Sequence, residues 1–127
     1  MNKRELGQQY EEKACEYMQK QGFRVLERNF QCRQGEIDII GEQDGYLVFA
    51  EVKYRMTQIA GMAEEAVTYA KQKRICRTAD YYRYMHKIGD DRPIRYDVIA
   101  IWGNKETKKE EIHWYQNAFW HIYAGRR

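Results

Sequence analysis

Asp38, Glu51 and Lys53 are the residues best placed to do chemistry. They interrupt two apolar runs, GEIDIIG (35–41) and YLVFAEVKYR (46–55). Burying a charge is costly unless it is paired or bound to a metal. Side chains alternate across a strand, so Glu36, Asp38 and Ile40 are expected on one face, with Ile37 and Ile39 on the other. By the same rule Leu47, Phe49, Glu51 and Lys53 share a face opposite Val48, Ala50 and Val52. If the two runs pair as a hairpin, Asp38 comes beside Glu51, with Lys53 one step further. Two adjacent carboxylates repel, and one pKa rises unless a cation intervenes. A hard divalent ion, Mg²⁺ or Mn²⁺, resolves the conflict through oxygen ligands, with the Val52 carbonyl as a backbone donor. A lysine beside it can position or deprotonate a water, or stabilise charge developing on phosphate. The parts suit metal-assisted phosphodiester hydrolysis.

The competing explanation is an ion pair at a sheet edge, and for an isolated D…ExK pattern it is the commoner one. Two features weigh against it. Ion pairs stabilise apolar strands poorly compared with apolar residues. A further carboxylate, Glu11, flanks the apolar stripe of the first helix and is expected to reach the metal from the side; otherwise it is a surface acid. Arg55 shares the face of Glu51 and Lys53, as a phosphate contact or an exposed strand-end arginine. Lys71 lies at a helix start, where free N–H groups favour anions; the equal alternative is a lysine whose stem covers the core. Lys73 and Arg74 lie on other faces. Arg95 and Asp97 share a strand face and are expected to form a structural ion pair. Glu36 shares Asp38's face with no role assigned.

The elements that position these residues follow from periodicity. A helix over 4–21 places Leu6, Tyr10, Ala14, Tyr17 and Met18 on one face and ends at Gly22. Strands are expected at 23–30, 35–41 and 46–55, the last two joined through Asp44-Gly45, a hairpin signal. The near-continuous apolar character of 46–55 puts that strand near the sheet centre. A loop over 56–63 leads to a second helix, capped by Thr68 and reaching about Lys87, with Lys71, Ile75, Ala79 and Tyr82 on one face. Strands at 94–102 and 112–115 follow, and Asn117-Ala118-Phe119 is expected to start a short terminal helix.

With 127 residues, the chain suits one compact α/β or α+β domain. Its net charge of +3 permits a nucleic-acid partner without demanding one. Cys15, Cys32 and Cys76 make no C-x-x-C pair, arguing against zinc and disulfides and for the cytoplasm. Neither a secretory signal nor a membrane-length apolar run stands out. The aromatics Tyr81, Tyr82, Tyr84, Trp114, Tyr115, Phe119 and Trp120 suit a core or a dimer surface better than base stacking. His86, His113 and His121 lack metal-ligand spacing and are expected at the surface.

The helix glutamate, then Gly35-Glu36-Ile37-Asp38, then Glu51-Val52-Lys53 and Arg55, resembles the YraN-like (UPF0102) family of small bacterial proteins. Further matches are Leu6-Gly7, Ala14, Gly22-Phe23, Arg28-Asn29, Val67, Lys71, Ala79, Arg95-Tyr96-Asp97-Val98 and Asn117-Ala118-Phe119. The resemblance places the chain with the restriction-endonuclease-like PD-(D/E)xK nucleases and near archaeal Holliday junction resolvases. It implies a single three-layer α/β/α domain over 1–127 with a mixed central sheet of about five strands. Asp38 would be the PD-motif aspartate, Glu51 and Lys53 the (D/E)xK pair, and Glu11 the helix acid that assists metal binding. Tyr10 stands where a glycine is expected, and Tyr69 where a proline is. The implied function is a metal-dependent deoxyribonuclease acting on DNA rather than RNA, including branched or junction DNA, for which a homodimer would suit symmetric cutting. The alternative is a non-catalytic nucleic-acid-binding or adaptor domain on the same fold.

Overall fold

A computed structural model describes residues 2–56, 67–104 and 106–125. The elements run α1 (Lys3–Lys20), β1 (Arg24–Cys32), β2 (Gly35–Gln43), β3 (Tyr46–Met56), α2 (Tyr69–Met85), β4 (Ile94–Gly103) and β5 (Glu110–Phe119). The five strands form one mixed sheet in sequential order, so β3 is central as expected. The β1–β2, β2–β3 and β4–β5 pairs are antiparallel, while β3 and β4 are parallel and joined across α2. A parallel pair needs such a crossover, and α2 supplies it. Apart from Met56, the loop expected over 56–63 lies outside the described residues.

Each sheet face is covered by one helix, giving the three α/β/α layers. Tyr10, Ala14, Cys15 and Met18 of α1 pack on Ile39, Val48, Ala50, Ile99 and Ile101. Ile75, Cys76, Ala79 and Tyr82 of α2 pack on Ile37, Ile40, Leu47, Phe49, Tyr96 and Val98. The Tyr10 side chain, in the position where glycine was expected, is buried and stacks on Tyr54 at 3.7 Å. Its hydroxyl donates to Glu110 Oε2 at 3.1 Å, tying α1 to β5. Leu6, expected on the buried stripe, is 37% exposed because it lies in the first turns, beyond the sheet's cover.

Local chemistry fixes the helix ends. Asn2 Oδ1 accepts from Glu5 N at 2.9 Å and starts α1. At its end Gly22 takes φ +93°, and the Gly22 and Phe23 N–H groups donate to the Gln19 and Met18 carbonyls. Phe23 and Met18 are both buried, completing a Schellman turn. Thr68 caps α2 as expected, but the helix ends at Met85 with His86 as its cap, two residues before Lys87. Asp44 and Gly45 both take positive φ, as a tight type I′ hairpin requires. Gly41 is a packing necessity: a Cβ there would meet the Phe23 ring at 2.3 Å and the Arg24 carbonyl at 2.4 Å.

Two expectations need correction. Ile37 and Ile40 share the α2 face while Ile39 faces α1, so period two breaks at Asp38. The terminal helix expected from Asn117 is instead the end of β5. There Asn117 takes φ 54°, the β4–β5 register shifts between Tyr96 and Val98, and Phe119 stacks on Tyr96 at 5.0 Å. Ring stacking and the bulge hold the segment on the sheet.

Asp97 pins that bulge. It accepts from Arg95 Nε and one terminal nitrogen, each at 2.9 Å, from Trp114 Nε1 at 2.8 Å and from Asn117 N at 2.9 Å. With Asp97 1% and Arg95 7% exposed, this is the structural ion pair expected from the sequence. Replacing one partner of such a pair leaves a buried charge uncompensated. Asp97→Ala is therefore expected to lower the unfolding free energy by about 3–5 kcal/mol, read from urea unfolding. A loss below about 1 kcal/mol would show that Arg95 reaches solvent once freed.

Candidate active site

The regular β2–β3 pairing ends at Ile39 opposite Ala50. Beyond that point Asp38 Oδ2 accepts the Val52 backbone N–H at 2.8 Å. A side chain thus bridges the strands where they part. β3 itself does not bend away, because β4 pairs with it from Leu47 through Met56. The strands diverge around Asp38 and Glu51, and those two carboxylates meet in the opening, as the hairpin expectation required.

Glu11 reaches the same opening from α1, against Asp38. Its Oε1 is buried and has no hydrogen-bond partner. Glu11 is pushed up to about 7, first by burial and then by the Asp38 charge, with Asn29 and Arg28 pulling it down. Glu51, only 7% exposed, is likewise pushed up to about 7 by burial and by Asp38. Asp38 is raised by burial, against the opposing pull of the Val52 N–H. All three hold protons more tightly than ordinary carboxyls.

Two lysines complete the cluster. Lys71 Nζ lies 3.1 Å from Glu51 Oε1. Burial works to depress Lys71, but Glu51 outweighs it and the net shift is upward. Lys53 is depressed by burial and by the Lys71 charge beside it. The ion pair with Glu51 was not anticipated for Lys71. Its backbone N–H is taken by Thr68 Oγ1 at 3.2 Å, so that donor is not free for an anion.

The other sequence candidates divide. Val52 contributes its N–H to Asp38, as described. Arg55 is exposed and donates to the Tyr54 carbonyl at 2.9 Å. Glu36 is exposed and accepts from Gln31 at 3.1 Å, and its charge helps to raise Asp38. Glu12 points away and pairs with Arg28 at 2.9 Å. Asn29 was missed as a site residue. It takes φ 54° within β1, and its side chain acts on Glu11, drawing that carboxyl's pKa down. Asparagine tolerates the left-handed region better than most residues, and that tolerance in a strand sequence was the available signal. His121 corrects the expectation of surface histidines: its side chain is 12% exposed, with Nδ1 2.6 Å from the Tyr96 hydroxyl and Nε2 3.3 Å from Asp80.

The donor set is all carboxylate oxygen, the type a hard divalent cation takes. The orphaned Glu11 oxygen and the clustered like charges are what such a cation would satisfy. The carboxylates stand as two successive contacts, Glu11 with Asp38 and Asp38 with Glu51. Among the described residues no three acidic, histidine or cysteine side chains converge on one point. Nor is any helix among them long and apolar enough to cross a membrane.

The fold and site define an α/β/α protein with a cluster of acids at the open end of its central strand pair. The profile described as "Uncharacterised protein family UPF0102" matches residues 10–101. A UPF0102 protein of Lachnoclostridium phytofermentans is 44% identical, over 94% of this chain and 96% of its own length. One from Caldicellulosiruptor saccharolyticus is 40% identical, over 94% of this chain and 100% of its own. A third, from Vibrio parahaemolyticus, is 41% identical over 92% and 93%. The chain belongs to the UPF0102 family.

The raised carboxyls set a pH dependence. A carboxyl whose folded pKa exceeds its unfolded value binds more protons when folded, so stability falls as pH rises through that window. For Glu11 the window runs from its ordinary 4.5 to about 7. Glu11→Gln removes the forced charge. In EDTA it is expected to raise stability at pH 8 by roughly 1 kcal/mol after discounting for partial exposure, a melting shift of a few degrees. At pH 5 the gain should largely vanish. Thermal melts at both pH values check this, and an equal shift at both would contradict the assignment.

Proposed function

We propose that the protein is a metal-dependent endonuclease hydrolysing phosphodiester bonds of DNA, with branched or junction DNA among its candidate substrates. The observation that carries this reading is the meeting of Glu11, Asp38 and Glu51, each with a raised pKa, where β2 and β3 part, with Lys53 beside Glu51. A purely structural ion pair would not need three acids beside one another. The resemblance to PD-(D/E)xK nucleases assigns the same positions.

Glu11, Asp38 and Glu51, with the Val52 carbonyl, would hold Mg²⁺ or Mn²⁺. When bound, the ion supplies Lewis-acid polarisation of the phosphate and a more acidic water. Asp38 is oriented for this by the Val52 N–H. Lys53, depressed by its surroundings, is the group to accept a proton from the attacking water or to steady charge on the phosphate oxygens. Lys71 offsets the charge of Glu51, and Arg55 stands exposed at the end of the strand to meet a neighbouring phosphate.

One observation favours a second reading, nucleic-acid binding without cleavage. Lys71 already occupies Glu51, and the acids do not close on a single point among the described residues. Cleavage assays separate the two readings. Single-stranded, duplex, flap and four-way DNA, with RNA beside them, are incubated with the protein and Mg²⁺ or Mn²⁺. Cutting of DNA is expected, and Asp38→Ala, Glu51→Ala and Lys53→Ala are each expected to reduce it on the order of 10²-fold or more, with the circular dichroism spectrum retained. Binding without cutting under either metal supports the second reading. Equal cutting by wild type and Lys53→Ala would point to a contaminating nuclease.

A further inference from the structure

On the outer face of α2, Ala70, Lys73, Arg74 and Arg77 recur at i, i+3, i+4 and i+7 and so form one stripe. Together with Gln34 they line a surface depression of about 340 Å³. The β1–β2 turn packs against this stripe, since a Cβ at Gly35 would lie 3.1 Å from Thr78 Oγ1 and 3.9 Å from Arg74 Cβ. That turn sits at the end of the sheet where β2 leads into Asp38. The depression is therefore on the same side of the molecule as the carboxylate cluster.

Its charge differs from that of the basic positions held in ion pairs. Lys13, Arg24, Arg28, Arg83 and Arg92 each lie within 2.6–3.4 Å of an acidic oxygen. Lys73 and Arg74 are exposed and have no acidic partner among the described residues, and neither does Arg33 beside Gln34. Arg77 pairs with Asp80 at 3.2 Å and donates to the Ile122 carbonyl, yet its Nε is buried without a partner. A depression lined by three cations and no acid suits an anion. By contrast, the larger cavity of about 490 Å³ at the far end of α2 mixes Arg83, Arg92 and His121 with Asp80 and Asp90, charges that already engage acids of their own surroundings.

We propose that this basic depression on α2 is a binding site for the phosphodiester backbone of the nucleic-acid strand that enters the carboxylate site. The proposal rests on the nuclease reading and adds the path of the substrate. From Lys71 to Arg77 the helix advances about 9 Å, room for a short run of successive phosphates. Lys73 and Arg74 contact successive phosphates, and Lys71 stands where the path meets Glu51. Tyr81 and Tyr84 continue the stripe beyond Arg77, and Tyr84 is 80% exposed. A single strand following this path would reach a stacking surface there.

The test is the salt dependence of binding. Fluorescence anisotropy in EDTA measures the affinity of the full chain for a labelled single strand, a duplex and a four-way junction across a range of salt. Each phosphate contact contributes about −0.9 to the slope of log K against log salt on duplex, and about −0.7 on a single strand. Lys73→Ala/Arg74→Ala is expected to make the slope shallower by about 1.8 or 1.4 respectively, and to weaken binding at low salt on the order of tenfold or more. Both substitutions lie on an exposed helix face and favour helix, so the fold should hold. Lys3→Ala/Lys20→Ala makes the same change in net charge on α1, across the sheet from the stripe, and should keep the wild-type slope. The substrate whose slope changes identifies which backbone lies in the depression. If wild type cuts DNA but the α2 double variant keeps its slope, the site assigned to α2 is overturned and the nuclease reading stands. If wild type neither binds nor cuts any substrate, both fail together.

Discussion

The bond from the Val52 N–H to the Asp38 carboxylate is the constraint on which the site depends. It replaces the backbone pairing that ends at Ile39 and Ala50, and so lets β2 leave β3 without stranding a donor. β3 stays straight because β4 continues to pair with it on the other side. One strand is fixed and the other departs, and the opening between them holds Asp38 and Glu51. Asn29 in the left-handed region lets β1 pass the same break, with Phe30 and Arg28 still opposite Ile37 and Ile39. Its side chain then meets Glu11, so a backbone irregularity and a site contact come from one residue.

Holding three acids in this opening works against stability, since burial and mutual repulsion both disfavour their charges. The surrounding layers offset that cost, with α1 and α2 each burying a cluster of apolar side chains against the sheet. Local conflict inside a well-packed frame is typical of functional sites. The two lysines sharpen the point. Lys71 is drawn up by Glu51, whereas Lys53 is drawn down by burial and by Lys71. Neighbouring groups of one type are thus pushed in opposite directions, one remaining a firm cation and the other moving toward a neutral amine. A proton acceptor and a fixed positive charge are different tools, and this arrangement provides both.

Much of this was legible in the sequence because apolar alternation in β3 and helical spacing in α2 are regular. Leu47, Phe49 and Glu51 do share a face, and Lys71 does lie in line with Ile75, Ala79 and Tyr82. Regularity is also why the reading failed at β2. Period two presumes an unbroken pleat, and the pleat breaks at Asp38 itself, carrying Ile37 to the face of Ile40. The end of β5 failed for a related reason: the bulge at Asn117 is imposed by Asp97, twenty residues away, and no local pattern reports a long-range acceptor. His121 is hidden in the same way, since its partners Tyr96 and Asp80 come from two other elements.

Asp38 and Asp97 show what separates a structural carboxylate from one with work to do. Both interrupt apolar strands, and both have a charged residue nearby in sequence. Asp97 receives four donors from Arg95, Trp114 and Asn117. Its lone pairs are committed, and a cation arriving there would have to displace bonds that hold β5 in register. Asp38 receives one backbone N–H and faces two further acids, one of which carries an unpartnered buried oxygen. Its capacity to accept is unspent, and a positive charge arriving there would relieve repulsion instead of creating it. Residue type is the same at the two positions, and both are withdrawn from solvent, Asp97 fully and Asp38 in part. The balance of donors to acceptors is not, and that balance, set by neighbouring elements, decides which aspartate belongs to the sheet and which to the site.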